Sequence, residues 1–425
     1  MMPAGTFSIP GKPVLPGQTL ASGQQATLGV MGGGQLGRMF VQAAQEMGYF
    51  TAVLDPDPAS PAGLVSHFHI QTPYEDEQGL AQLMQRCEAI TTEFENVPSP
   101  ALVTLGAHRT VAPNAKAVAI AQDRIAEKAH FVACAQGTPD SVPPAPYAAI
   151  ESAELLQAVP AELLPGVLKT ARLGYDGKGQ VRVKDRAELA AAWDQMGRVP
   201  CVLEKLLPLK DELSVIVARG ATGQMVNLPA QRNIHRDGIL AVTEVHPGNL
   251  PPALAERALR ATRAIAEQLN YVGVLCVEFF VVDDGSPDGT LVVNEMAPRP
   301  HNSGHYSLNA CDVSQFELQV RTMAGLPLPQ PRLHSPAIML NLLGDLWHRD
   351  SGAGGKAKAP PWLELLKLPG VHLHLYGKLS ARPGRKMGHL TITGASWDTV
   401  CITALAAAEL LGIDPWTPSA GAGAA

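Results

Sequence analysis

The first third of the chain alternates short apolar segments with an amphipathic one. Residues 27–31, 51–54 and 89–92 are apolar runs with the length of buried parallel strands, and residues 39–47 have helical periodicity. Three glycines at G-x-G-x-x-G spacing separate the first strand from this helix. The order strand, helix, strand predicts a βαβ start and a parallel sheet with helices on its faces.

The middle of the chain has a different pattern, in which strands dominate. The predicted elements are, in order, a helix opened by Asp123-Arg124, strands at residues 166–170 and 199–204, a helix over 253–269, and a hairpin over 272–282 and 290–295. A proline-rich joint at residues 326–331 marks a boundary before the last part. The predicted fold class is therefore α/β, of the α+β multidomain kind.

Length, net charge and cysteine spacing limit the classes of function that the chain can have. A chain of 425 residues is too long for one ordinary core. The net charge of −6 provides no global basic field, so we expect no nucleic acid and no membrane as partner. Six cysteines without a CxxC pair favour a reducing cytoplasm. Residues 1–26 contain no apolar run long enough for a signal peptide or a membrane span, and we interpret them as a disordered extension.

A glycine-rich loop carries the clearest chemistry. The sequence LKTARLGYDGKGQ places Lys169 at the end of a strand and three glycines in the loop that follows. Backbone N–H groups freed by glycine can close around phosphate oxygens, and the lysine adds a positive charge. No Walker motif occurs in the chain, so the loop predicts a nucleotide site of another kind. A plain hairpin tip is the alternative.

Two glutamates of the predicted hairpin form a candidate metal site. A symmetric turn about Ser286-Pro287 predicts three opposed pairs, namely Glu278 with Glu295, Phe280 with Val293, and Val282 with Leu291. Opposed carboxylates repel each other unless a cation lies between them, and oxygen ligands suit Mg²⁺. A solvated Glu278 is the alternative, which its apolar neighbours disfavour.

Three more polar groups of residues call for an explanation. The run MAPRPHNSGH follows Glu295 directly and is too rich in polar residues for a core segment. Glu93 opens the stretch EFENVP at the carboxyl end of a strand, where α/β proteins bind ligands. Lys378, Arg385 and Lys386 lie near a proline-glycine turn and could converge on a phosphate monoester. For these three cations, a solvated basic loop is the alternative.

The motifs resemble those of the ATP-grasp ligases, and among them the family that carboxylates 5-aminoimidazole ribonucleotide. The resemblance covers residues 28–392 in one sequence order, through GGGQLGRM, TTEFENVP, DR, GYDGKGQ, NIHRDGI, YVGV, NEMAPRPHNSGH, SQFEL, LPLPQP, HLHLYGK and RPGRKMGHL. It implies an ATP-grasp fold over residues 128–324, with a lid subdomain at about 140–203. It also implies an N-terminal Rossmann-like (pre-ATP-grasp) domain over 27–127 and a small C-terminal β-rich domain over 325–425.

Site residues follow from the same resemblance. The implied ATP-binding residues are Arg124, Lys169, Gly174, Tyr175, Asp176, Gly177, Lys178, Gly179, Gln180, Glu204, Lys205, Leu206, Leu207, Glu212, His235, Asn294 and Glu295. The implied substrate-binding residues are Gln35, Leu36, Glu93, His301, Asn302, Lys378, Arg385 and Lys386. The implied catalytic residues are Arg299, Asn302, Tyr175 and Asp176, and the metal ligands are Glu278 and Glu295. Taken singly, Glu204, Glu212 and His235 could equally be structural.

The implied reaction belongs to de novo purine (IMP) biosynthesis. ATP, bicarbonate and 5-aminoimidazole ribonucleotide give ADP, phosphate and the N5-carbamate through carboxyphosphate, with Mg²⁺ as cofactor and Mn²⁺ as a substitute. The amine receives its carboxyl group from carboxyphosphate or from CO₂ released from it. The resemblance also implies small-molecule substrates and a cytoplasmic homodimer.

Three other functions compete with this one. A sister ligase that formylates glycinamide ribonucleotide would read more like E-x-x-PR-x-HDTG, whereas Asn302-Ser303-Gly304-His305 occurs in this chain. A noncatalytic nucleotide-binding regulator would be expected to lose a metal carboxylate or Lys169, and both are present. An NAD-dependent dehydrogenase would fit only the first glycine motif, which is weak alone.

Overall fold

The computed structural model describes residues 12–136, 141–174, 179–349 and 357–421. Within these ranges the strands form three sheets of five, four and nine strands. Each sheet packs helices against an apolar face, which gives the mixed α/β class that the sequence predicts. No helix in the described ranges is both long and apolar enough to cross a bilayer.

The N-terminal sheet is parallel, with strand order β3-β2-β1-β4-β5. Its elements are β1 (Thr27–Met31), α1 (Gln35–Glu46), β2 (Phe50–Leu54), β3 (Phe68–Ile70), α2 (Glu77–Arg86), β4 (Ala89–Thr92), α3 (Ser99–Gly106), β5 (Thr110–Val111) and α4 (Ala115–Ala121). The predicted βαβ start is confirmed, although the helix begins at Gln35, directly after the glycine turn. The predicted start at Met39 is late because the glycine pattern extends the turn to Gly37, although Leu36 lies at helical spacing from Met39 and Phe40 on the buried face.

The segment before the first strand differs from the predicted disordered extension. The backbone N–H of Val14 donates to the Ala324 carbonyl at 2.9 Å, and the Tyr49 hydroxyl donates to the Val14 carbonyl at 2.6 Å. Thr19 and Gln25 form an antiparallel bridge. The prediction is therefore wrong for residues 12–26, because the N-terminal domain offers hydrogen-bond partners and an apolar contact for Val14 that a composition argument does not see. Residues 1–11 lie outside the described ranges.

The second sheet is antiparallel, has the strand order β6-β9-β7-β8, and lies largely within residues 140–203, the range predicted for a lid subdomain. Helix α5 (Arg124–Ala135) precedes it, with Asp123 as its N-cap. The remaining elements are β6 (Tyr147–Ile150), α6 (Ala153–Gln157), β7 (Gly166–Thr170), β8 (Gln180–Val183), α7 (Arg186–Gln195) and β9 (Cys201–Lys205). Strand β7 before the glycine loop is confirmed, but the strand that follows the loop is β8, which was not predicted from the sequence; the predicted strand at 199–204 is β9, after helix α7.

The third sheet is antiparallel and runs β15-β14-β10-β12-β13-β16-β18-β17, with β11 paired to β10. Its strands are β10 (Leu209–Arg219), β11 (Met225–Asn227), β12 (Gln231–Arg236), β13 (Ile239–Val245), β14 (Gly273–Val282), β15 (Thr290–Ala297), β16 (Ala337–Leu343), β17 (Val371–Leu375) and β18 (Lys386–Thr393). The helices are α8 (Pro252–Gln268), α9 (Ser307–Ala310), α10 (Gln315–Ala324), α11 (Trp362–Leu365) and α12 (Trp397–Leu411). The C-terminal strands thus extend the central sheet.

The hairpin β14–β15 confirms one predicted pair and corrects two. Glu278 lies opposite Glu295, as predicted. Beyond them the register shifts, so that Phe280 pairs with Val292 and Val282 with Thr290, each one residue away from the prediction. A β-bulge at the glutamates gives β15 one extra residue, and a symmetric turn cannot reveal such an insertion.

Candidate active site

A cavity of about 1320 Å³ is lined by strand residues of the second and third sheets and, from the N-terminal part, by residues of α1, of α4 and of the segment after β4. Its lining includes the following predicted site residues: Gln35, Leu36, Glu93, Arg124, Lys169, Gly174, Gln180, Glu212, His235, Glu278, Asn294, Glu295, Arg299, His301, Asn302, Lys378, Arg385 and Lys386. The fold therefore brings together residues that lie up to 351 positions apart, from Gln35 to Lys386.

The other predicted residues are not part of this lining. Glu204 is buried at the end of β9, and Lys205 to Leu207 follow it toward β10. Gly179 has a φ of +71°, a conformation that favours glycine, and its carbonyl accepts from the Thr170 N–H at 2.9 Å. Tyr175, Asp176, Gly177 and Lys178 lie outside the described residues.

The opposed carboxylates occupy unlike environments. Glu278 is 9% exposed, and both burial and the charge of Glu295 raise the pKa of its carboxyl group. Burial also acts to raise the pKa of Glu295, but the cations Arg124 and Lys169 outweigh it and hold that pKa below its ordinary value. The Arg124 guanidinium contacts the Glu295 carboxylate at 2.9 Å. Two acids whose mutual repulsion shifts one of them are a suitable pair of ligands for a divalent cation.

Helix α5 fixes three consecutive residues of β15 from one face. Arg124 binds the Glu295 side chain, the Glu127 carboxylate accepts from the Met296 N–H at 2.7 Å, and the Lys128 ammonium donates to the Asn294 carbonyl at 2.8 Å. Positions i, i+3 and i+4 of a helix share a face, which explains why these three side chains reach the same strand. Burial raises the pKa of Glu127 to about 8, partly opposed by Lys128.

A second pair of charges lies where β10 and β12 run side by side. His235 Nδ1 lies 2.7 Å from a Glu212 carboxylate oxygen. Burial lowers the pKa of His235, but the hydrogen bond to Glu212 and the charge of Glu278 outweigh it and raise the pKa to about 8. The contact with the Glu212 carboxylate therefore favours the protonated, cationic form of His235.

Arg299 and Asn302 stand between the carboxylates and the basic cluster. The Arg299 guanidinium donates to the Glu95 carboxylate at 2.6 Å. Asn302 is 6% exposed, and neither its amide oxygen nor its amide nitrogen has a hydrogen-bond partner among the described residues. A buried amide that lines a cavity with both polar atoms unpaired is suited to bind a ligand there. His301 Nε2 lies 3.5 Å from Glu278, and burial, followed by the charge of Arg299, lowers the pKa of His301 well below its ordinary value.

The basic cluster is arranged on β18 and the turn before it. The Lys378 ammonium donates to the Lys386 carbonyl at 2.7 Å. Arg385 donates to the carbonyl and hydroxyl oxygens of Ser380 at 2.9 and 3.0 Å. Arg382, which sequence analysis did not assign, lines the same part of the cavity. The neutral oxygens of Ser380 orient the Arg385 guanidinium without neutralising its charge, which suits it to bind an anionic ligand.

The first glycine turn is capped by an acidic side chain. The Glu93 carboxylate accepts from the Gly34 and Gly37 N–H groups at 2.8 and 3.0 Å, so an anion of the protein already occupies the N-terminus of α1. Burial raises the pKa of Glu93, while these two hydrogen bonds oppose the shift. Gln35 and Leu36 remain on the cavity wall beside it.

Sequence reasoning missed Glu127, Lys128 and the partner role of Glu95. The signal for the first two was available, because both lie at helical spacing from Arg124 on a helix that was predicted correctly. Glu95 is two positions from Glu93 in the same stretch, but its partner Arg299 lies far away in sequence, and no local pattern links them.

Models of three protein families match this chain in sequence order. The ribonucleotide synthetase preATP-grasp domain matches residues 25–122, the ATP-grasp domain residues 138–316, and the phosphoribosylaminoimidazole carboxylase C-terminal domain residues 337–401. Together they cover most of the cavity wall described above, and Arg124 and Glu127 fall between the first two matches.

Individual relatives agree with these matches. N5-carboxyaminoimidazole ribonucleotide synthase of Brucella melitensis is 40% identical over 375 residues, which are 86% of this chain and 96% of the relative. A crystal structure of the ADP complex of N5-carboxyaminoimidazole ribonucleotide synthetase superposes with a TM-score of 0.82 at 36% identity and covers 95% of this chain and 98% of its own. The Aspergillus clavatus enzyme in complex with ADP and 5-aminoimidazole ribonucleotide gives 0.78 at 27%, covering 92% and 99%.

Proposed function

Because the chain belongs to the N5-carboxyaminoimidazole ribonucleotide synthase family of ATP-grasp ligases, we propose residue-level roles for its cavity in that reaction. The enzyme carboxylates 5-aminoimidazole ribonucleotide at the expense of ATP, in purine biosynthesis. The observation that carries the assignment of roles is one cavity that has cation–carboxylate pairs at one end and a cluster of three basic residues at the other, and whose lining includes Asn302, an amide without a hydrogen-bond partner among the described residues.

The nucleotide end of the cavity consists of Arg124, Lys169, Glu212, His235 and Glu295. Lys169 and Arg124, which line the cavity, would bind the nucleotide phosphates. Glu212 would accept hydrogen bonds from the ribose hydroxyls, because it lies on β10 a few residues after the connection from β9. The backbone from Glu204 to Leu207 would contact adenine. The loop residues Tyr175 to Lys178, together with Gly174, Gly179 and Gln180, would close over the phosphates.

The residues present fit a magnesium ion at the hairpin. Glu278 and Glu295 are opposed carboxylates, the Asn294 amide oxygen beside them is buried without a partner, and the pKa of Glu278 is raised by burial and by its neighbour's charge. Bound Mg²⁺ would neutralise the charge of a transferring phosphoryl group. Mn²⁺ has similar ligand preferences and would substitute for it.

The exocyclic amine that accepts the carboxyl group would lie in the middle of the cavity. ATP first phosphorylates bicarbonate, a poor electrophile, and carboxyphosphate or the CO₂ it releases then reacts with the exocyclic amine. Arg299, held by Glu95, would face the charge that develops on the carboxyphosphate, and Asn302 would bind the amine or carboxyl group with its two free polar atoms. His301, neutral because of its lowered pKa, would accept or donate one hydrogen bond to the same substrate.

The basic end of the cavity consists of Lys378, Arg385 and Lys386. These cations would bind the 5′-phosphate of the ribonucleotide, while Gln35, Leu36 and Glu93 on the N-terminal domain would contact its ribose. In this arrangement the Glu93 carboxylate would accept hydrogen bonds from the ribose hydroxyls while it accepts those from the N–H groups at the N-terminus of α1. A cytoplasmic homodimer remains our prediction for the assembled enzyme.

Release of ADP with two substrate pairs tests this function. We expect release with 5-aminoimidazole ribonucleotide plus bicarbonate, and only background release with glycinamide ribonucleotide plus formate. The N5-carbamate should form in step with ADP. Activity with the formate pair would show that the HNSGH run selects a different acceptor.

A further inference from the structure

One buried carboxylate behind the cavity wall has two lysine partners, of which Lys169 lines the cavity. The Glu204 carboxylate lies 3.2 Å from the Lys128 ammonium and 3.0 Å from the Lys169 ammonium, one lysine on each oxygen. Burial raises the pKa of Glu204, but the two ammonium groups outweigh it and bring the pKa below its ordinary value. Glu204 is therefore an anion, and it needs at least one cation beside it at all times.

The two lysines differ in how firmly they are held. The Lys128 side chain is 0% exposed, lies on α5, and has a second hydrogen bond to the Asn294 carbonyl at 2.8 Å. Moving it would leave two buried polar groups unpaired. The Lys169 side chain is 12% exposed, lies at the end of β7 and lines the cavity. Lys169 alone of the two can turn toward a ligand.

We propose that Lys128 is the permanent counter-ion of Glu204 and that its presence allows Lys169 to exchange Glu204 for the phosphates of the nucleotide. This rests on the proposed phosphate-binding role of Lys169. Without Lys128, the departure of Lys169 would leave a buried carboxylate unpaired, so Lys169 would stay bound to Glu204 and phosphate affinity would fall. Lys128 is thus a positioning residue that acts through Lys169 and touches no substrate.

The test compares the affinities of the metal-free enzyme for ADP and for adenosine, because only ADP uses the phosphate contacts. We expect the ratio of the two affinities to fall about tenfold in Lys128→Met, the size of one lost charge-assisted hydrogen bond. Lys116→Met, an exposed lysine on the adjacent α4, is the matched control and should leave the ratio unchanged. A wild-type ratio in folded Lys128→Met would overturn the proposal.

A double-mutant cycle separates this role from a merely structural one. In Lys128→Met, the further change Lys169→Met should weaken ADP binding less than twofold, since Lys169 is already tied to Glu204; the same change in the wild type should weaken it about tenfold. Equal effects in both backgrounds would contradict the proposal.

A charge-neutral variant covers the case in which Lys128→Met does not fold. Lys128→Met with Glu204→Gln removes the buried charge that would hold Lys169, so the ratio of ADP to adenosine affinity should return to within about threefold of the wild-type value. A ratio that stays tenfold low in this variant would show that Lys128 acts in another way. The wild-type carboxylation assay is independent of this ratio, so failure of the proposed function would be seen separately.

Discussion

At the nucleotide end of the cavity the cations Arg124, Lys169 and His235 each contact a carboxylate, whereas at the basic end Arg385 donates to neutral oxygens of Ser380. A phosphate that arrives at the first end must replace an existing ion pair, and one that arrives at the second meets a cation still available. At the first end, phosphate binding requires a cation to exchange its carboxylate partner for the phosphate, which depends on geometry. At the second end, the phosphate is attracted by a cation that exchanges no carboxylate. The two ends should therefore respond differently to loss of a single charge.

The largest expected effect on turnover is at the nucleotide end of the cavity. Glu295→Gln should lower kcat by about 10² to 10³, because a charge that acts on the transferring phosphoryl group counts most in the transition state. The measurement is steady-state turnover at limiting and saturating magnesium, with the thermal unfolding midpoint as a control for folding. Near wild-type turnover at limiting magnesium would exclude Glu295 as a metal ligand.

A smaller, selective effect is expected at the basic end. Arg385→Ala should raise the KM for the ribonucleotide about tenfold, since one charge-assisted hydrogen bond contributes about 1.5 to 3 kcal/mol. The KM for ATP should barely change. Arg198→Ala, with a side chain 67% exposed on the lid subdomain, is the control and should change neither constant. Equal weakening of both substrates would remove the distinction between the two ends.

The third prediction concerns the glycine loop, which would couple formation of carboxyphosphate to carboxylation of the amine. Tyr175 and Asp176 lie outside the described residues, and are the bulky side chains among its glycines. Tyr175→Ala or Asp176→Asn should raise the ratio of ADP to carboxylated ribonucleotide from one to a few-fold higher, because carboxyphosphate behind an imperfect lid meets water before the amine. Both products are measured at saturating substrates. If the two rates fell together, the loop would serve binding or chemistry alone.

The smallest effect concerns the pH dependence of stability at the nucleotide end. The pKa of His235 is raised to about 8 in the folded protein, above its unfolded value, so its contribution to stability is complete at pH 6 and is lost as the pH rises through 8. We expect the free energy of unfolding to fall between these pH values by on the order of 1 kcal/mol more in the wild type than in His235→Gln. Denaturant unfolding at both pH values measures it. Identical slopes in the two proteins would refute the His235 contribution.

Sequence reasoning predicted the parts of the fold and site that have a local signature. The strand before Lys169, the helix at Arg124 and the opposition of Glu278 and Glu295 each follow from periodicity, an N-cap or a turn. The shifted pairs beyond Glu278 were missed because residues 291–293 are all buried, so this part of β15 has no alternation that would reveal the extra residue of a β-bulge.

The remaining differences come from contacts between distant segments. Lys128 pairs with Glu204 and Glu95 with Arg299 across different elements, and a single sequence contains no information on such pairings. The path of Val14 along the N-terminal domain depends on a carbonyl at Ala324. Composition predicts disorder there because it counts residue types and ignores partners that the rest of the fold supplies.

The continuous central sheet has a geometric consequence for the distance between the two substrates. Five strand spacings separate β14, with Glu278, from β18, with Lys386. Laid flat, they would hold these residues about 24 Å apart. Both nevertheless line one cavity, and the charge of Lys386 acts on the Glu278 carboxyl group. The sheet must therefore be strongly curled.

Bulges in β-sheets increase bending, and four ladders of this sheet shift register, at residues 209–211, 234–235, 278–279 and 342–343. The curvature of the backbone would thus set the distance between the proposed nucleotide end of the cavity and its basic end. An insertion or deletion at 209–211 or 342–343 would change the distance between the two ends of the cavity without removing a proposed ligand-binding residue, whereas the other two positions contain His235 and Glu278.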